Sequence, residues 1–171
     1  MHLHLYRLAC PVKEDVIAFM SCSSDLPDKQ PSDAVTRAWI GLMRAQRLVL
    51  AAIECELKRA GLPPLAWYDV LLELTRAQGG RLRPFEIEER TLLAQYNLSR
   101  LLDRLQREDL IKREAFDADG RGCWVVITEA GRDLQARIWT VYARSIATHV
   151  GARLDEERAS TLAELLTRLG R

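Results

Sequence analysis

The strongest constraint lies between Leu110 and Ile127. Two short strand-like runs, near Leu110–Phe116 and Cys123–Ile127, flank the segment Asp117-Ala118-Asp119-Gly120-Arg121-Gly122. Asp and Gly tolerate the backbone angles that a tight hairpin turn needs. Thr128 follows at once as a helix N-cap, with Glu129 suited to the positive end of the next helix dipole. A hairpin fused directly to a helix must be carried by other elements, because two strands alone are marginal in water.

The preceding residues supply those elements. Pro84–Thr91 reads as a short helix, with Pro84 in its first turn. A tight turn at Leu92–Leu93 leads to a helix predicted from about Ala94 to Glu108. Leu98, Leu101, Leu102 and Leu105 make its apolar face. Gln95, Tyr96, Asn97, Ser99, Arg100 and Arg104 make its other face. Gln and Asn pair with adenine edges, and Arg pairs with guanine or phosphate. These six are the candidate DNA-binding residues of the helix. Arg104, next to Asp103 near the packed face, is expected to serve folding as well. In the hairpin, Arg121 is suited to the negative potential of a minor groove, with Asp119 as its brace. A solvated helix face is the ordinary fate of such polar residues, so the helix and the hairpin argue together.

Longer apolar stripes lie on both sides. Ser32 and Asp33 precede a helix marked by Val35, Ala38, Trp39, Leu42, Met43, Val49, Leu50, Ile53 and Leu57. Gly61, Pro63 and Pro64 stop it. A shorter helix carries Trp67, Val70, Leu71 and Leu74. After Thr128 comes a long stripe of Leu134, Ile138, Val141, Tyr142, Ile146 and Val150. A last helix from Asp155 carries Leu162, Leu165, Leu166 and Leu169. The expected fold is mainly α, a winged helix-turn-helix with a small β-hairpin wing and a helical dimerisation region formed by N- and C-terminal helices. The divisions are an N-terminal extension over 1–31, a dimerisation helix over 32–63, the winged helix-turn-helix over 64–128, and dimerisation helices over 129–171.

The formal charge of the 171-residue chain is +1, so any nucleic-acid surface must be local. The apolar runs are too short to span a membrane, and the N-terminus lacks the pattern of a secretory signal. Four cysteines without a Cys-x-x-Cys pair point to reduced thiols in a cytoplasmic protein. Cys10 and Cys22, in the extension, are the candidate redox residues, although they match no sensing motif. His2 and His4 lack a third ligand nearby, so no metal and no cofactor are expected. No nucleophile elbow, phosphate loop or paired metal-ligand helix is present, so no enzyme is expected. His149 reads as a packed or partly exposed side chain.

The run "LLDRLQREDLIKREAFDADGRGCWVVITEAG" resembles the core signature of the MarR family of bacterial winged-helix transcription regulators. The matching positions are Leu102, Asp103, Arg104, Leu105, Leu110, Ile111, Arg113, Asp119, Arg121, Ile127, Thr128 and Gly131. The helical order extends the resemblance over roughly residues 32–171. It implies a homodimer that binds double-stranded DNA at a palindromic operator, acting as a ligand-responsive repressor. It also implies a small aromatic or phenolic effector, for which Trp39, Trp67 and Tyr68 are the candidate pocket residues. The alternative is a winged-helix protein–protein module that does not bind DNA. Asp109 departs from the pattern by standing where a turn glycine is usual, and Ala94 by standing where a serine commonly caps the recognition helix. The extension is longer than usual, and nothing carries over onto it.

Overall fold

The computed structural model describes residues 30–91, 95–115 and 122–170. The first helix, α1 (Asp33–Arg59), is followed by α2 (Leu65–Arg76), a 3-10 turn at Gln78–Gly80 and the strand β1 (Arg81–Leu82). Then come α3 (Pro84–Thr91), α4 (Gln95–Arg107), β2 (Ile111–Ala115), β3 (Cys123–Ile127) and α5 (Glu129–Ile146). A π turn at Ala147–Gly151 ends α5, and α6 (Glu156–Leu169) is last. Residues 31–155 form one compact unit, and α6 belongs to another.

The helix starts follow from their caps. Ser32 accepts a hydrogen bond from the Val35 N–H at 3.3 Å, and Asp33 lies in the positive first turn of α1. Lys58 and Arg59 suit the negative end of the same helix. The N-terminus of α2 takes its cap from another element, because the Glu54 carboxylate on α1 accepts from the Leu65 N–H at 3.0 Å. Thr128 caps α5 as the sequence predicts, accepting from the Gly131 N–H at 3.0 Å.

The sheet is antiparallel in the order β1-β3-β2. It has a third strand that the sequence reading lacks: Arg81 pairs with Val126 and Leu82 with Val125. Two residues are too few to establish a period of two, so the pattern gave no signal.

Two apolar clusters organise residues 31–155. The first joins Val70, Leu71 and Leu74 of α2 to Leu82, Ile87, the four α4 leucines, Leu110, Ile111, Val125 and Ile127. The second joins Ile53 and Leu57 of α1 to Leu65 and Tyr68 of α2 and Ile138 of α5. The α2 helix serves both clusters, so the expected boundary at residue 64 separates chain segments that share packing. The N-terminal part of α1 is different. Val35, Trp39, Ile40 and Met43 are exposed, at 59%, 59%, 42% and 39%. Considered alone, α6 also exposes Leu162, Leu165, Leu166 and Leu169.

Candidate nucleic-acid interface

The α4 helix divides cleanly into two faces. Leu98, Leu101, Leu102 and Leu105 are buried in the first cluster. Their burial stabilises by roughly 1.5–3 kcal/mol each. This anchors the helix and leaves Asn97, Ser99, Arg100 and Arg104 exposed on the rest of its surface. The structure therefore brings these four expected residues onto one helix. Gln95 and Tyr96 fall in its first turn. Asp119 and Arg121, expected at the hairpin tip, lie outside the described residues, as do Leu92, Leu93 and Ala94.

The Asp103 carboxylate accepts a hydrogen bond from the Arg113 guanidinium on β2 at 2.7 Å. Sequence reasoning placed Asp103 beside Arg104, its neighbour in the chain. In the structure Arg104 is exposed and Asp103 reaches the wing strand, ten residues on. Neighbouring residues on a helix point away from each other by about 100°, and the turn after α4 brings Arg113 back to the helix. This ion pair ties the orientation of the wing strand to that of α4.

Asp109 makes the turn between α4 and β2. Its φ is +54°, the left-handed region that glycine adopts freely. The Leu110 N–H donates to the Leu105 carbonyl at 2.9 Å, and the Asp109 N–H to the Gln106 carbonyl at 3.0 Å. This pair of bonds is a Schellman ending, in which the left-handed position usually carries glycine. Asp109 keeps the glycine-type turn at a cost.

The junction to α5 is tighter. The Thr128 N–H donates to the Leu110 carbonyl at 3.1 Å, and the Thr128 hydroxyl donates to the Asp109 carbonyl at 2.7 Å. Gly131 is buried against the same turn. A Cβ there would collide with the Leu110 carbonyl oxygen and stand 2.9 Å from Ile127 Cγ1. The end of α4, the start of β2 and the start of α5 therefore share one hydrogen-bonded knot.

The three expected pocket aromatics have different surroundings. Trp67 packs against the first cluster, Tyr68 is buried in the second, and Trp39 is exposed on α1. Tyr68 stacks on Trp139 at 6.0 Å and meets Tyr142 edge-on at 5.3 Å. The sequence reading missed Trp139 altogether and treated Tyr142 only as part of a helical stripe. Their i, i+3 spacing on α5 was the available signal. Next to Tyr68 in the chain, Asp69 has its carboxyl pKa pushed up to about 6, first by burial and then by the negative charges of Glu73 and Glu54. His149 is half-buried, within the range expected.

Cys10 and Cys22 lie outside the described residues, as do His2 and His4. Cys55 and Cys123 are free thiols, the first exposed and the second half-buried. Among the described residues no group of three His, Cys, Asp or Glu side chains could hold a metal ion. Among them, too, no helix is long and apolar enough to cross a membrane.

The model of the MarR family matches residues 60–122, which run from the end of α1 to the residue before β3. The chain is 29% identical over 135 residues to the HTH-type transcriptional regulator MhqR of Bacillus subtilis (strain 168), covering 78% of this chain and 90% of that one. The structure of AbsC, a MarR family transcriptional regulator from Streptomyces coelicolor, superposes with a TM-score of 0.73 at 25% identity, over 82% of this chain and 95% of that one.

The chain is similar to the MarR family in the sequence of residues 60–122 and in its fold.

A second Streptomyces coelicolor member, Sco3205, was solved in complex with DNA. It shares the fold at a TM-score of 0.76 and 23% identity, over 85% of this chain and 90% of its own. Within the MarR frame, α3 and α4 are the helix-turn-helix and β2–β3 the wing. The strand β1 completes the sheet beneath them.

Proposed function

We propose that the chain is a homodimeric, sequence-specific DNA-binding transcription regulator, acting as a ligand-responsive repressor at a palindromic operator. The observation that carries the reading is α4. Four buried leucines fix it to the core, and Asn97, Ser99, Arg100 and Arg104 stand exposed on its other side. On a duplex, Asn97 reads an adenine edge, and Arg100 and Arg104 take guanine or phosphate. Gln95 and Tyr96 join this face by the sequence pattern. Asp119 and Arg121 belong to the wing tip, with Arg121 in the minor groove and Asp119 as its brace. Similarity to the MarR family supports the reading.

The exposed stripe of α1 supports the dimer, because Val35, Trp39, Ile40 and Met43 form an apolar row on one helix. A second copy covers this row, and the leucines of α6 are closed in the same assembly. Two α4 helices then sit about 34 Å apart, one duplex turn, and read two half-sites. An effector that binds one dimer geometry better than the other shifts the protein away from DNA. A small aromatic or phenolic molecule is the effector class, and Trp39, Trp67 and Tyr68 are its proposed contacts. The site of action is the cytoplasm.

Two measurements test the reading. Sedimentation is expected to give a particle of twice 19.5 kDa at micromolar concentration. Selection from random duplexes is expected to return a palindrome, bound with an affinity that falls steeply with salt. A monomer, or a protein indifferent to every duplex, would overturn it.

A further inference from the structure

The outer face of the sheet takes no part in the interface described above. The register sets Arg81, Val126 and Lys112 in one row across it, with Trp124 and Glu114 in the next. The other face of the same strands buries Leu82, Val125, Ile111 and Ile127. Alternation therefore turns Arg81, Lys112 and Trp124 away from the core. Arg83, two residues after Arg81, follows on the same side. Arg81, Arg83 and Lys112 are all exposed.

The two arginines converge on one ring. The guanidinium carbon of Arg81 lies 4.8 Å from the centroid of the Trp124 ring, and that of Arg83 lies 5.3 Å from it. Gathering like charges is unfavourable, and stacking on the indole offsets part of the cost. A guanidinium held against an aromatic face keeps hydrogen-bond donors along its edge, and its fork matches phosphate oxygens. Lys112, in the same row as Arg81, adds a third cation, and Glu114 opposite Trp124 is an acid on the same face.

We propose that Arg81 and Arg83, held on Trp124 and joined by Lys112, grip the phosphate backbone of duplex DNA outside the stretch read by α4. The inference rests on the DNA-binding reading above. Duplex phosphate is the partner that fits because the patch sits on elements that adjoin the helix-turn-helix. Arg83 directly precedes α3, the first helix of the helix-turn-helix, and its own N–H donates to the Glu86 carboxylate at 2.8 Å. Lys112 lies on β2, the strand that Arg113 ties to α4. The grip carries no base information. It lengthens the footprint and raises the salt dependence.

The test compares the selected palindrome inside long flanks with the same palindrome trimmed at both ends. The double variant Arg81→Gln/Arg83→Gln is expected to bind the long duplex on the order of tenfold more weakly, and its logarithmic salt slope to fall by about 1.8, the share of two phosphates. On the trimmed duplex it is expected to match wild type. Its discrimination between operator and scrambled sequence stays unchanged. Trp124→Leu keeps both charges and removes their platform, so it shows a partial loss; its fold is checked by circular dichroism, and if it does not fold the double variant decides. If wild type binds duplex and the double variant equals it in affinity and slope, the grip is absent while the DNA reading stands. An equal loss on the trimmed duplex overturns its placement in the flanks. A wild type that binds no duplex overturns both.

Discussion

Replacing Gly131 with alanine probes the knot that joins α4, the wing and α5. The added Cβ meets the Leu110 carbonyl oxygen, a backbone atom, and Ile127 Cγ1 at 2.9 Å. Neither can swing aside like the end of a long side chain. Relief requires α5 to move off the turn, which loosens the Thr128 cap and the bond from Thr128 N–H to the Leu110 carbonyl. Losing the cap costs about 1 kcal/mol, losing that hydrogen bond about 1 kcal/mol, and residual overlap about 1–3 kcal/mol. Alanine's better helix propensity returns at most about 1 kcal/mol. The expected net loss is about 3 kcal/mol, a fall in Tm of roughly 6–12 °C for a chain of this size. Thermal denaturation at fixed protein concentration measures it, since association also moves Tm. A fall below about 2 °C, less than about 1 kcal/mol for a chain of this size, would show that the junction has room and that wing and α5 are not rigidly joined.

Two further substitutions test particular residues. Asp109→Gly relieves a left-handed aspartate and should stabilise by about 0.5–1 kcal/mol, read as a higher denaturant midpoint with an unchanged slope. The Asp69 carboxyl binds its proton more tightly in the folded state, so its stabilising contribution is present in acid and is lost as pH rises through about 6. Asp69→Asn should therefore raise Tm at pH 8 and change it little at pH 4; equal shifts at both pH values would contradict the buried carboxylate account.

Much of this was legible before the structure. The bounds of α3 and β3 follow from Pro84, the apolar run Cys123–Ile127 and the Thr128 cap. The division of α4 into a leucine face and a polar face could be read from spacing alone. What stayed hidden depends on contacts distant in the chain. The strand β1 is two residues long and exists because β3 offers it partners. Asp103 pairs with Arg113 across the turn between α4 and β2, which no local pattern foretells. Arg81 and Arg83 look like scattered charges until the sheet brings Trp124 beneath them. The aromatic group of Tyr68, Trp139 and Tyr142 joins residues some seventy positions apart, and only packing of α2 on α5 brings them together.

The central claim is that the polar face of α4 reads DNA sequence. Its most direct test is an anisotropy titration of the Asn97→Ala and Arg100→Ala variants against the selected operator at fixed salt, together with operators substituted at each base pair. Both residues are exposed, so the fold should be kept. The account predicts a loss of about 1–3 kcal/mol for a residue that pairs with a base, and weaker discrimination at one position in each half-site. Unchanged affinity and unchanged discrimination for both folded variants would contradict it.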